Sequence, residues 1–241
     1  MCPEIIVELV RRGQVPEARL DQSVRRLLRE KFVLGLFDHR YVDPDTAEDA
    51  VGCGDFQAAG VTAERRSVTL LTNSPPGCVA HLPLSAGLRV YTENIGSDVA
   101  ARYFSVVERI EDADVAILRL EAPYERRAGQ FAAFFHAGSL EFPADDLARI
   151  LAIINRIPTI VDVYLDRPAV IPLLAERAGA LVATFAVGDE AFLDVLCGRA
   201  TPGGQLPFDL PRSMAAVTAS ATDVAFDSED PVFRYGHGLR Y

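Results

Sequence analysis

Cysteine is scarce and carries no pattern. The four present, Cys2, Cys53, Cys78 and Cys197, form no C-x-x-C pair and share no metal-ligand spacing. Neither a disulfide framework nor a zinc motif can be built from them. They read as reduced thiols of a cytoplasmic protein. The opening residues 1–6 have no basic stretch, apolar core or cleavage site, so no secretory leader is expected there. No apolar run approaches the roughly 20 residues that span a bilayer. A phosphate-cradling glycine loop is missing too: Gly52-x-Gly54 lacks the third glycine and has no strand before it. Positive charge is in deficit. The net charge of −10 disfavours nucleic acid and anionic membranes as partners.

What is present is ordinary globular composition in 241 residues, enough for one large domain or one and a half. Residues 4–12 read as a short helix ended by Gly13. Pro16 opens a second helix, whose apolar positions Leu20, Val24, Leu27, Leu28 and Phe32 follow helical spacing up to Gly35. Residues 43–54 are polar and rich in breakers, which suggests a linker. From 55 onward helical and β-branched stretches alternate. Helices are expected over 55–66, 98–107, 143–155, 168–177 and 190–196, the fourth opened by Pro168. Strands are expected over 67–72, 88–92, 115–120, 159–165 and 180–186. That alternation predicts a mainly parallel α/β sheet with helices on both faces, a three-layer sandwich. The tail 200–241 shows no period and reads as loops with a short edge strand. In such sheets ligands sit outside the carboxyl ends of the strands. The longest loop after a strand is the one following 115–120.

Several blocks in order resemble the carboxyl-terminal half of family 3 glycoside hydrolases. They are Arg19–Phe37, with Arg-Leu-Asp-x-Ser-Val and Leu-Gly-Leu-Phe; Arg66–Asn73 followed by Leu82-Pro83-Leu84; and Ala113–Ile117 leading to Glu121–Glu125. The last are Cys197–Arg212 and the closing Phe233–Tyr241 with its Tyr-Gly-His-Gly-Leu-x-Tyr. The resemblance implies that residues 1–42 are the terminal helices of a catalytic (β/α)8 barrel, 43–54 the linker and 55–241 the α/β sandwich that follows it. It implies a retaining, exo-acting, β-glucosidase-like enzyme that works without metal or organic cofactor and whose substrate is a β-linked glucoside or related glycoside. Such chemistry needs two carboxyl groups roughly 5 Å apart. In the family the nucleophile is a barrel Asp, usually followed by Trp, and this chain contains no Trp and no such segment. The isolated chain is therefore expected to be inactive. Its alternative is a non-catalytic module completing the site of a barrel on another chain, with self-association through its orphaned apolar surface.

The resemblance places the acid/base on the loop Glu121–Gln130. Relatives show Pro-Tyr-x-Glu-x-x-Gly-Asp, whereas here Arg126 falls on the acid position and Gln130 on the Asp. Arginine cannot give a proton, so a shift of one makes Glu125 the candidate acid/base; its bland reading is a surface ion pair with a neighbouring Arg. Glu121, Tyr124, Arg126 and His136 are candidate substrate-binding residues. Glu121 binds a sugar hydroxyl or orders the loop, and His136 faces the site or is structural. The aromatics of Phe131–Phe135 wall a subsite or pack on the barrel. His237 reads as a structural plug, Asp166-Arg167 as a brace of its turn, and Asp189 as a helix-start acid favoured by the dipole.

Overall fold

The computed structural model describes residues 2–74, 77–129 and 134–241. It divides into two compact units, Met1–Phe56 and Gln57–Tyr241. The first unit carries α1 (Cys2–Arg11), α2 (Glu17–Val33) and α3 (Pro44–Ala50). Pro16 stands at the N-cap of α2, and no residue of α2 is buried. Leu27, Phe32, Val33 and Leu34 are each more than 60% exposed, although Phe32 meets Phe37 in a tilted pair with ring centroids 4.6 Å apart. The stretch read as a linker holds α3, because Asp43 caps it by accepting from the Asp45 N–H and the Thr46 hydroxyl.

The helix α4 (Gly54–Ser67) leads into the second unit. There β1 (Thr69–Asn73), β2 (Arg89–Glu93), β3 (Ser105–Val106), β4 (Val115–Glu121), β5 (Thr159–Tyr164) and β6 (Ala180–Thr184) form one sheet in the order β1-β6-β5-β4-β2-β3. All pairs are parallel except β1 with β6. The sheet is therefore the mainly parallel one expected. Alternation along the strands sends Ile117, Ile160 and Val182 to one face, where they pack on Phe192 and Val195 of α8 (Asp189–Leu196). Leu118, Val161 and Leu181 go to the other, against Ile150 of α6 (Ala144–Ile154) and Leu174 of α7 (Pro172–Arg177). Both faces are covered, as near-continuous apolar runs in parallel strands require.

Three segments differ from expectation. Residues 98–107 hold only a four-residue helix, α5 (Ser97–Ala100), before the chain turns into β3. Pairing of Ser105 and Val106 beside β2, extended by Val107 N–H to Val90 O at 3.0 Å, outweighs helix propensity in a β-branched stretch. The helix expected from 168 starts at Pro172, since Val170 is held beside Glu141; Pro172 takes the early position where a missing N–H costs nothing. The tail contains α9 (Met214–Ala219), capped by Ser213 accepting from Ala216 N–H.

The Leu82-Pro83-Leu84 block is held by Asn73, whose side chain mimics a strand neighbour: it accepts from Leu82 N–H at 2.9 Å and donates to Leu82 O at 3.0 Å. The chain end returns to β1. Leu239 N–H donates to Leu70 O at 2.7 Å and His237 Nε2 to Leu71 O at 2.8 Å, with the His237 ring on Phe233. His237 is thus the structural plug expected. This return works only because Gly238 has no side chain: a Cβ there would lie 2.2 Å from Gly204 O. Gly238→Ala must displace backbone, and a loss of about 2 kcal/mol or more in unfolding free energy is expected. A urea midpoint equal to the unsubstituted protein's would contradict that close approach.

Candidate functional site

A cleft of about 730 Å³ opens at the carboxyl edge of the sheet. Its floor comes from strand ends and the segments just after them: Asn94 after β2, Arg119 and Glu121 in β4, Asp162 and Tyr164 in β5, and Val187 before α8. Tyr124 and Arg126 of the post-β4 loop form one side, and Asp146 and Arg149 of α6 another. The topology dictates this position, because every parallel crossover begins from that edge.

The floor is a charge cluster built around Arg119. Its Nε donates to Asp162 Oδ2 at 2.9 Å, Nη1 to Asp189 Oδ1 at 2.5 Å and Nη2 to Val187 O at 2.8 Å. The guanidinium lies over the Phe192 ring, 4.7 Å from its centroid. Asp189 uses its other oxygen to accept from Gly96 N–H, and Asn94 Nδ2 donates to Arg119 O. Asp162 is fully buried; Thr184 Oγ1 donates to its Oδ2 at 3.0 Å, and Oδ1 has no partner among the described residues. One guanidinium thus serves two acids, Asp162 fully buried and Asp189 partly exposed. Burial pushes the Asp162 carboxyl up to about 6, against the pull of Arg119.

The loop above is fastened to itself. Glu125 N–H donates to Ala137 O at 2.8 Å, and the Glu125 carboxylate accepts from Ser139 N–H at 3.0 Å. That carboxylate lies on Gly138, where a Cβ would come within 2.3 Å of Glu125 Cδ. His136 stacks on Tyr124 with ring centroids 3.7 Å apart, and its Nδ1 meets Asp166 Oδ2. Arg167 donates to Gly138 O at 2.8 Å. Asp166-Arg167 therefore braces this loop; the brace expected of its own turn is not among the side-chain hydrogen bonds of the described residues.

Of the sequence candidates, Glu121, Tyr124 and Arg126 line the main cleft. Glu121 is exposed, and among the described residues its carboxylate has no hydrogen bond or ion pair, so it ties down none of the described loop amides. Glu125 lines a smaller recess of about 300 Å³ with Tyr124, Arg126, Arg127 and Phe135, and pairs with no neighbouring Arg among the described residues. His136 lies behind Tyr124. Phe131 falls outside the described residues; Phe134 is 83% exposed. The floor of Arg119 and Asp162 was not anticipated. A signal existed: each is the single charge within an apolar run, 115–120 and 159–164, and such residues are seldom buried unless paired. Among the described residues no group of three or more His, Cys, Asp or Glu is arranged to hold a metal ion, and no helix is long and apolar enough to cross a membrane.

Comparison with known proteins agrees with this architecture. The profile of the family described as "Glycosyl hydrolase family 3 C-terminal domain" matches residues 21–241. Beta-glucosidase C of Emericella nidulans is 53% identical over 243 residues, covering 99% of this chain and 39% of that protein. The periplasmic beta-glucosidase/beta-xylosidase of Dickeya chrysanthemi is 39% identical over 242 residues, covering 98% of this chain and 36% of its own length. The chain thus spans under two fifths of these relatives. In fold it is similar to the Listeria innocua β-glucosidase solved with glucose, with a TM-score of 0.66 at 18% identity over 98% of this chain and 40% of that one.

The raised Asp162 carboxyl sets a sign for the pH dependence of stability. Below its ordinary value of 3.8 the group is protonated in both folded and unfolded chains. Between there and about 6 the unfolded chain has lost the proton and the folded one keeps it, so this group's contribution falls as pH rises. Asp162→Asn stays neutral throughout. The variant is expected to gain stability relative to the unsubstituted protein from pH 4 to pH 6 in urea titrations; a relative loss across that window would mean that Arg119 dominates burial.

Proposed function

The chain belongs to glycosyl hydrolase family 3, as its C-terminal domain, and from that premise we propose that it forms one wall of the active site of a retaining, exo-acting β-glycosidase of the β-glucosidase type. The observation that carries this reading is the convergence of Glu121, Tyr124 and Arg126 on one cleft at the carboxyl edge of the sheet. A carboxyl, an aromatic ring and a cation are the groups that protonate, stack against and hydrogen-bond a sugar. The substrate is a β-linked glucoside or a related glycoside, and the reaction breaks its glycosidic bond in the course of carbohydrate breakdown. The opposite wall and the covalent nucleophile come from a barrel, in the same polypeptide or on another chain. The apolar side chains exposed on α2 support a surface built to be covered. The free thiols of Cys53, Cys78 and Cys197 support a reducing, cytoplasmic setting, although the Dickeya relative carries a periplasmic name.

Double displacement without its nucleophile loses most of the acceleration an enzyme provides. The purified chain is therefore expected to hydrolyse aryl β-glucosides no faster than background. The same chain joined to a family 3 barrel is expected to turn them over. Robust turnover by the purified chain, or a barrel-joined protein inert on β-glucosides and β-xylosides alike, would contradict the reading.

A further inference from the structure

We propose that Glu121, in place of Glu125, is the group through which this chain gives and takes the proton at the glycosidic oxygen, a proposal resting on the glycosidase reading above. Three acidic side chains line the main cleft: Glu121, Asp146 and Asp162. Asp162 is fully buried in the floor and bound to Arg119 and Thr184, so a ligand above cannot touch it. Asp146 belongs to the first turn of α6, on a side of the cleft apart from the strand ends and the post-β4 loop. Glu121 ends β4, the strand set between β5 and β2, and its carboxylate has no partner among the described residues. A general acid has to reach the oxygen it protonates, and a side chain held by nothing else can do so.

Glu125 is committed elsewhere. Its carboxylate accepts from Ser139 N–H and lies on Gly138, while its backbone pairs with Ala137. It closes the loop, and the loop carries Tyr124 and Arg126 into the cleft. Turning Glu125 toward a substrate would undo the clasp and leave the Ser139 N–H without its acceptor.

The chemistry balances with the barrel's carboxylate as nucleophile. That carboxylate attacks the anomeric carbon as the bond to the leaving oxygen breaks, and the leaving oxygen takes the Glu121 proton. In the second half water attacks the anomeric carbon and Glu121 takes the proton of that water. The nucleophile carboxylate departs, the sugar leaves with retained configuration, and Glu121 is again an acid.

The test uses the enzyme with its barrel in place. Glu121→Gln is expected to slow substrates with poor leaving groups by ~10²–10⁴-fold. Activated aryl β-glycosides should be slowed less in the first step, and added azide should restore turnover by giving the β-glycosyl azide. Glu125→Ala is expected to slow all leaving groups alike, to show no azide rescue, and to speed amide hydrogen exchange at Ser139. Azide rescue in the Glu125 variant, or Glu121→Gln without leaving-group dependence, would overturn the assignment alone. An unsubstituted barrel-containing enzyme with no glycosidase activity would overturn the functional reading beneath it.

Discussion

The Arg119 guanidinium is the constraint on which the cleft depends. Its rigid fork satisfies three acceptors at once: Asp162 in the adjacent strand, Asp189 at the start of α8, and the Val187 carbonyl between β6 and that helix. Lysine could not do this, since a point charge on a flexible stem has no fork. Without Arg119 the floor would be a fully buried carboxylate with only Thr184 donating to it, which is among the costliest arrangements a protein can hold. The guanidinium also stacks on Phe192, so the polar floor is joined directly to the apolar layer between sheet and α8. Stability and site geometry rest here on the same atoms.

Above that floor the loop after β4 is held by its own contacts. Glu125, the Tyr124–His136 stack, the His136–Asp166 pair and Arg167 tie residues 124–125 and 136–139 to one another and to the turn after β5. Single contacts of this exposed kind are each weak, roughly 1 kcal/mol. Several together determine which side chains reach the cleft. The division has a physical logic: the floor is buried and tolerates little change, whereas the loop can vary in sequence so long as its clasp survives.

Much of this was legible in the sequence. The alternation of β-branched and amphipathic stretches from residue 55 is what a parallel sheet covered on both faces demands, and the sheet has that form. The closing Tyr-Gly-His-Gly-Leu-x-Tyr was legible as structural, and its reason is the approach of Gly238 to Gly204. Other features were not legible because long-range contacts decide them. Residues 105–106 become strand through pairing with β2, and the start of α7 is deferred to Pro172 by the bridge at Val170. The roles proposed for Glu121 and Glu125 cannot be told from spacing either. Glu121 lines the main cleft, whereas the Glu125 carboxylate is met by a backbone N–H fourteen residues along the chain, that of Ser139. Arg119 and Asp162 left a trace, as single charges within the apolar runs 115–120 and 159–164, but Arg119's further partner Asp189 looked like an ordinary helix-start acid.

The central claim is that the carboxyl edge of this sheet is the working face. Amide hydrogen exchange on the barrel-containing enzyme, with and without a non-hydrolysable glucoside analogue, tests it most directly. The account predicts slowed exchange on analogue binding in residues 119–126 and 185–189, with the opposite edge of the sheet unchanged. Saturating analogue that binds while leaving both segments unaltered would contradict it.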